Sequence, residues 1–194
     1  KVRAQIVAAI VRDLGRWLKS NAEAHISVNL SASELTSDSI LHEFEEAFRQ
    51  SGIDCRQIWL EVTETGIIDM AEARPTLVEL RRRGHRLAID DFGTGYSGLS
   101  YLQQLQVDIL KVDRCFVEVI GSDAATRDVT ALVIDLAHQL DLAVVAEGVE
   151  TETQANYLRE RGVAYAQGWL FARALPADAF LVFWSNQPRR ADQP

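Results

Sequence analysis

Six short apolar runs recur along the chain, and each is followed by, or ends on, a residue with a charged or amide side chain. Longer stretches with helical periodicity separate these runs. Short continuous apolar runs are typical of parallel strands that are buried on both faces. The alternation of strand and helix therefore predicts right-handed βαβ units around a parallel sheet. The six terminal residues are Asn29, Glu61, Asp90, Lys111, Glu147 and Gln167.

An α/β barrel is the architecture that would bring these strand ends together, because its catalytic groups come from the C-terminal ends of several strands. Together with Asp91, which directly follows Asp90, we therefore expect four carboxylates, an amide, a lysine and a glutamine to converge on one rim. A full barrel has eight strands and about 250 residues. Six strands in 194 residues predict a modified TIM-type (β/α) barrel that is incomplete at its N-terminal end. We assign residues 1–187 to this barrel and residues 188–194 to a polar C-terminal tail.

Composition narrows the class of protein. A hydrophobic content of 47% and a charged content of 25% are ordinary for one globular domain with a sizeable core. The net charge of −8 argues against a DNA or RNA partner, which would require clustered lysine and arginine. The apolar runs are far shorter than a membrane span, and no signal-peptide pattern opens the chain. We expect a cytoplasmic domain, alone or within a membrane-anchored protein, with no membrane contact from this segment.

The sharpest local signal is Asp90-Asp91 followed by Phe-Gly-Thr-Gly. Successive strand residues point to opposite faces, so both carboxylates reach one site only if the backbone turns between them. Gly93 and Gly95 supply conformational freedom directly afterwards. Two adjacent carboxylates would raise one pKa unless a cation lies between them, and such pairs are common in two-metal sites. The alternative is a simple turn, in which the aspartates cap and the glycines provide the geometry.

Other strand ends add candidate ligands. Asn29 and Glu61 are weak signals individually, whereas Glu147 follows four apolar residues, and buried carboxylates are rare without partners. We expect Lys111 to direct its ammonium along the rim, where it would orient a water molecule or stabilise phosphate charge. A salt bridge to Asp113 is the alternative. The histidines fit no ligand spacing, and hard oxygen donors without histidine or cysteine select Mg²⁺ or Mn²⁺ over zinc.

Six longer motifs surround these residues. They are Ser-Val-Asn-Leu-Ser at 27–31, Leu-Glu-Val-Thr-Glu at 60–64, Asp-Asp-Phe-Gly-Thr-Gly-Tyr-Ser at 90–97, Leu-Lys-Val-Asp at 110–113, Ala-Glu-Gly-Val-Glu at 146–150 and Gln-Gly-Trp-Leu-Phe at 167–171. In this order and spacing the chain resembles the EAL-domain family from about Ile26 to Pro176. The resemblance implies a modified α/β barrel that linearises cyclic di-GMP, a bacterial second messenger, to 5′-pGpG.

The resemblance also implies a set of metal ligands. Asn29, Glu61 and Asp90 would hold one Mg²⁺ or Mn²⁺ ion. Asp90 would bridge to a second ion that is held with Asp91, and Glu147 would lie close to that ion or its water.

Further roles follow from the same resemblance. Lys111, Glu147 and Glu64 are the expected catalytic residues, with Lys111 orienting or helping to deprotonate the attacking water. Gln167 and Asp91 are the expected substrate-binding residues. Glu64 would fix the loop that follows Asp91, which couples metal binding to dimerisation in the family. A homodimer is therefore expected, with cyclic di-GMP as the ligand.

The chain departs from the family pattern in one respect. The Glu-Ala-Leu motif that gives the family its name lies on the first barrel strand, and its glutamate is a metal ligand. The chain contains Glu-Ala pairs only at 23–24, 46–47 and 72–73, in loop or helix contexts. We expect the sequence to begin in the helix after that strand, which leaves the activity of the fragment by itself open.

Two other functions are compatible with this pattern. The first is a catalytically weak or inactive cyclic di-GMP receptor module. Degenerate family members lose an acid of the Asp-Asp pair, the lysine or the Ala-Glu-Gly-Val-Glu segment, and none of these is lost here, which favours the enzyme. The second is an enolase-like barrel, which lacks support because no second lysine or histidine base ends a strand.

Overall fold

Six parallel strands form a single curled sheet in which spatial order follows chain order, β1 to β6. The structure is a computed structural model that describes residues 2–36, 39–64, 73–93, 106–121 and 126–187. The strands are β1 (Ile26–Asn29), β2 (Ile58–Thr63), β3 (Arg86–Phe92), β4 (Ile109–Val112), β5 (Ala143–Ala146) and β6 (Tyr165–Ala166). This topology is that of a TIM-type barrel with part of its circumference present, and it confirms the predicted fold class. The predicted tail, 188–194, lies outside the described residues.

Helices cover the outer face of the sheet. At the N-terminus, α1 (Val2–Ala9) continues through a π-helical turn at Ile10–Leu14 into α2 (Gly15–Ser20). The other described helices are α3 (Ala32–Leu35), α4 (Ser39–Ser51), α5 (Arg74–Arg82), α6 (Arg114–Val117), α7 (Thr126–Gln139), α8 (Glu152–Glu160) and α9 (Ala177–Ser185). Within the described ranges, none of the helices combines the length and the apolar character that crossing a bilayer requires.

The strand residues divide into two sets because side chains alternate between the faces of a sheet. Outward-facing residues pack with the helices in one large core. A smaller apolar cluster lies on the inner face and consists of Trp59, Ala88, Ile109 and Val145. Residues two positions further along the same strands face the same side, nearer the C-terminal mouth. Those residues are Glu61, Asp90, Lys111 and Glu147.

The structure corrects three predicted strand ends. Strands β2, β3 and β4 continue one or two residues beyond Glu61, Asp90 and Lys111. The reason is that pairing with the neighbouring strand persists there, as in the register of Thr63 with Asp90. The remaining predicted residues end β1 or directly follow β5 and β6, namely Asn29, Glu147 and Gln167.

An aromatic cluster closes the inner face at its amino-terminal end. The imidazole of His25 stacks on the indole of Trp59, with ring centroids 3.4 Å apart and planes inclined by 7°. The ring of Tyr165 contacts both rings edge-on, at 5.2 Å and 5.1 Å. Burial, reinforced by the nearby charge of Arg86, lowers the pKa of His25 to about 4. The stack therefore depends on a neutral imidazole.

We expect His25 to make stability depend on pH. Its pKa is about 4 in the folded chain and ordinarily 6.5, so the unfolded chain binds more protons between these values. The stabilisation from His25 is complete above pH 6.5 and is lost as the pH falls towards 4. The melting temperature should be measured at pH 7 and at pH 4.5. It should decrease more in wild type than in His25→Phe, which keeps an aromatic ring but cannot titrate. The control His42→Gln, at an exposed position, should show the same decrease as wild type. Equal decreases in melting temperature in wild type and His25→Phe would contradict the role of His25.

Candidate active site

The two adjacent aspartates share one site because the backbone turns at Asp91. Asp91 has a φ of 55°, in the left-handed region, where aspartate and asparagine are better tolerated than most residues. The register between β3 and β4 shifts over the same stretch, between Ile89 and Phe92. The turn required by the sequence is thus present, but it falls at Asp91 itself rather than only at the glycines that follow.

Three carboxylates converge as a result of this turn. One oxygen atom from each of Asp90, Asp91 and Glu147 lies within 4.8 Å of the other two, and all three residues are partly buried. Asp91 comes from the irregular part of β3, and Glu147 from the residue after β5. Burial, together with the charges of Asp90 and Asp113, raises the pKa of Asp91. Such a group of oxygen donors can hold a divalent cation.

Lys111 lies at the centre of the acidic side chains and is only 4% exposed. Its Nζ lies 2.8 Å from Glu61 Oε2, 2.9 Å from Asp90 Oδ1 and 2.6 Å from Glu147 Oε1. Burial opposes the charged form, but the hydrogen bonds to these carboxylates outweigh it and raise the pKa of Lys111. The predicted direction of the ammonium is confirmed.

The alternative salt bridge from Lys111 to Asp113 is not among the contacts that the structure shows. Asp113 is the N-cap residue of α6, and its Oδ1 accepts a hydrogen bond from the backbone N–H of Cys115 at 2.9 Å. The difference arises because β4 ends at Val112 and Asp113 caps the helix that follows, whereas Lys111 still lies in the strand and faces the inner side with the carboxylates.

Glu147 is held from two sides. Gln167 Nε2 donates a hydrogen bond of 2.7 Å to Glu147 Oε1, the same oxygen that contacts Lys111. The backbone N–H of Gln167 donates to Ala146 O at 2.8 Å, which fixes the position of the amide. Burial raises the pKa of Glu147, and the neighbouring ammonium of Lys111 opposes this rise. The structure therefore brings Gln167 into the same cluster as the predicted acids.

The glycine after Gln167 was not singled out from the sequence, yet it sets this geometry. A Cβ atom on Gly168 would lie 2.1 Å from the carbonyl oxygen and 2.3 Å from the backbone nitrogen of Val149. Only glycine allows the two segments after β5 and β6 to approach this closely. The available sequence signal was the glycine's position directly after a polar strand end.

Glu64 and Asn29 lie at the edges of this cluster. Glu64 is 7% exposed, and its Oε2 accepts a hydrogen bond of 2.8 Å from the backbone N–H of Gly93. This bond anchors the start of the loop that follows Asp91; residues 94–98 of that loop, including Gly95, lie outside the described residues. Asn29 pairs in register with Glu61 at the end of β1, and it is exposed.

The family follows from comparison with known proteins. Residues 1–174 match the model of the EAL domain. The chain belongs to the EAL-domain family. It is 42% identical over 182 residues to the probable cyclic di-GMP phosphodiesterase PdeB of Escherichia coli K12. The aligned region covers 94% of this chain and 34% of PdeB. It is 41% identical over 167 residues to the cyclic di-GMP phosphodiesterase NbdA of Pseudomonas aeruginosa, covering 86% of this chain and 21% of NbdA.

Solved structures of EAL proteins share the fold. The EAL enzyme Bd1971, in a form bound to cAMP and cyclic di-GMP, superposes with a TM-score of 0.86 at 33% identity, covering 93% of this chain and 50% of Bd1971. BlrP1 of Klebsiella pneumoniae, in a complex with manganese and cyclic di-GMP, gives a TM-score of 0.76 at 33% identity, covering 86% of this chain and 43% of BlrP1. The chain thus spans about a third of the length of PdeB and half or less of these two structures.

The convergence of Asp90, Asp91 and Glu147 predicts that Mn²⁺ or Mg²⁺ raises the melting temperature. For a domain of this size, each kcal/mol of binding free energy shifts the melting temperature by roughly 2–4 °C. Asp91→Asn should shrink the shift markedly, because asparagine keeps the left-handed backbone but removes the charge.

Asp141→Asn is the matched control, because Asp141 also has a positive φ, of 57°, and lies exposed between α7 and β5. Its metal-induced shift should equal that of wild type. An undiminished shift in Asp91→Asn would exclude Asp91 from ion binding.

Proposed function

We propose that the chain is the catalytic domain of a metal-dependent phosphodiesterase that hydrolyses cyclic di-GMP to 5′-pGpG. The single observation that carries this proposal is the contact of one buried ammonium, Lys111, with the carboxylates of Glu61, Asp90 and Glu147 at the mouth of an EAL-family barrel. The names of PdeB and NbdA support the same substrate class.

The charge of the cluster supports two divalent ions. Four carboxylates face a single ammonium, and burial raises the pKa of both Asp91 and Glu147, so additional positive charge would relieve the repulsion. One Mg²⁺ or Mn²⁺ ion would be held by Asn29, Glu61 and Asp90. The second ion would be held by Asp90, Asp91 and Glu147. Two such ions would lower the pKa of a water molecule and offset the charge that develops on the phosphate. The manganese complex of BlrP1 supports this choice of metal.

Lys111 and Glu147 would carry out the proton transfer and the stabilisation of charge in the reaction. Lys111 stays protonated because its pKa is raised, so its role would be to donate hydrogen bonds to the attacking water or a phosphate oxygen. The water oxygen forms a bond to phosphorus while the bond to the 3′-oxygen breaks. Glu147, with its raised pKa, would accept the proton of the water and release it to solvent, and a proton from solvent would convert the departing 3′-oxygen to a hydroxyl.

Other residues would position these groups. Gln167 holds Glu147 through its Nε2, which leaves the carbonyl oxygen of its amide for the substrate. Asp91 would contact substrate beside the second ion. Glu64, bound to the N–H of Gly93, would transmit the position of the loop after Asp91 to a second copy of the protein in a homodimer. We place this activity in the cytoplasm.

The test is hydrolysis of cyclic di-GMP by the purified protein with Mn²⁺, followed by chromatographic detection of 5′-pGpG. Lys111→Met keeps the length of the side chain and removes its charge, and we expect kcat to fall by about 100-fold or more. The metal-induced rise in melting temperature should remain, since the carboxylates are intact. Lys19→Met is the matched control, because Lys19 lies exposed on α2, and its ammonium donates a hydrogen bond to the carbonyl of Ser51, away from the carboxylate cluster.

Unchanged turnover in Lys111→Met would refute the role of the lysine. Tight binding of cyclic di-GMP by the wild type without any 5′-pGpG would instead support the receptor module.

A further inference from the structure

Trp169 lies at the mouth of the barrel but has no role in the mechanism above. It follows Gln167 by two residues, which places the two Cα atoms within about 7 Å of each other, the longest span of two residues. The side chain of Trp169 is 56% exposed. A large aromatic ring that is left open beside a catalytic cluster is a surface on which a ligand can stack.

The backbone on both sides of Trp169 is fixed. The N–H of Leu170 donates to the carbonyl of Val149 at 3.0 Å, and the N–H of Val149 donates to the carbonyl of Gln167 at 3.0 Å. Val149 is fully buried and lies two residues after Glu147. The backbone of Trp169 is therefore carried on the same hydrogen-bonded framework as Glu147, so ordering this backbone costs little on binding.

Two guanidinium groups lie within 6 Å of the centre of the indole ring. The Cζ atom of Arg173 lies 4.3 Å from the ring centroid, and that of Arg114 lies 5.7 Å from it. Arg114 forms ion pairs with Glu118 and Glu150. Arg173 forms no ion pair with any residue in the part of the chain that the structure describes. Its charge is therefore available to a ligand.

We propose that Trp169 and Arg173 form a stacking platform for one guanine base of the substrate and thereby determine nucleotide affinity. Proteins that bind single-stranded nucleic acid commonly stack bases on aromatic rings and on arginine planes. In a nucleotide the ribose lies between the base and the phosphate. When the phosphate is bound at the carboxylates and ions, the base therefore extends outwards, to the rim beyond Gln167. The platform rests on the proposed function, because that function supplies the nucleotide.

The experiment separates nucleobase recognition from chemistry. In Trp169→Ala, we expect KM for cyclic di-GMP to rise about tenfold or more, as for loss of a base stack. The kcat should change by less than about twofold, because the platform does not contact the reacting atoms. Trp169→Phe should recover most of the affinity, and Arg173→Ala should raise KM in the same direction. Hydrolysis of bis(p-nitrophenyl) phosphate, a diester without a purine, should be unaffected in all three variants.

Phe171→Ala is the matched control, because Phe171 is an aromatic residue of the same segment that is 47% exposed. Its KM should equal that of wild type. An unchanged KM in Trp169→Ala, or an equal loss with both diesters, would overturn the platform.

Titration calorimetry of cyclic di-GMP in Ca²⁺ distinguishes the platform from the proposed function. If wild type binds cyclic di-GMP in Ca²⁺ but forms no 5′-pGpG in Mn²⁺, and Trp169→Ala binds about tenfold more weakly, the platform is supported and the phosphodiesterase is refuted. If wild type neither binds nor hydrolyses cyclic di-GMP, both are overturned.

Discussion

The ammonium of Lys111 is the interaction on which the site depends. It lies within 2.9 Å of carboxylates from two other strands and from the residue after a third, in a position that is almost inaccessible to solvent. Unpaired carboxylates at this depth would repel one another and would take up protons instead of remaining charged. With one cation among four acids, the site keeps a net negative charge, and this charge favours the binding of divalent ions. Both the proposed metal site and the proposed chemistry follow from that charge difference.

The parallel sheet gives this cluster its rigid support. Inner-face residues form two successive layers, an apolar layer that includes Trp59 and Ile109 and a polar layer two residues further along each strand. Register across the ladder, such as Asn29 with Glu61 and Lys111 with Val145, fixes the height of each side chain. The same principle places catalytic groups at the C-terminal ends of barrel strands in general. Function thus depends on strand register, and the apolar layer stabilises that register.

Two local departures from regular structure complete the site. The positive φ of Asp91 turns a second aspartate towards the first, and Gly168 lets the segment after β6 pack directly on Val149. The first departure joins Asp91 to Asp90 and Glu147, and the second brings Gln167 to Glu147. Each has a sequence signature, an Asp-Asp pair before glycine and a glycine after a polar strand end, but only the first signature predicts its geometry from the sequence.

The sequence by itself determined the class of fold and the identity of the polar residues at the mouth, because strand alternation and helix periodicity are local properties. It also required a turn between Asp90 and Asp91. The tertiary structure decided that Lys111 pairs with Glu61, Asp90 and Glu147 rather than with Asp113, and that three strands extend past their predicted ends. These outcomes depend on pairing between strands that are distant in the chain. No local pattern encodes the distance between side chains that approach each other only after the sheet has curled.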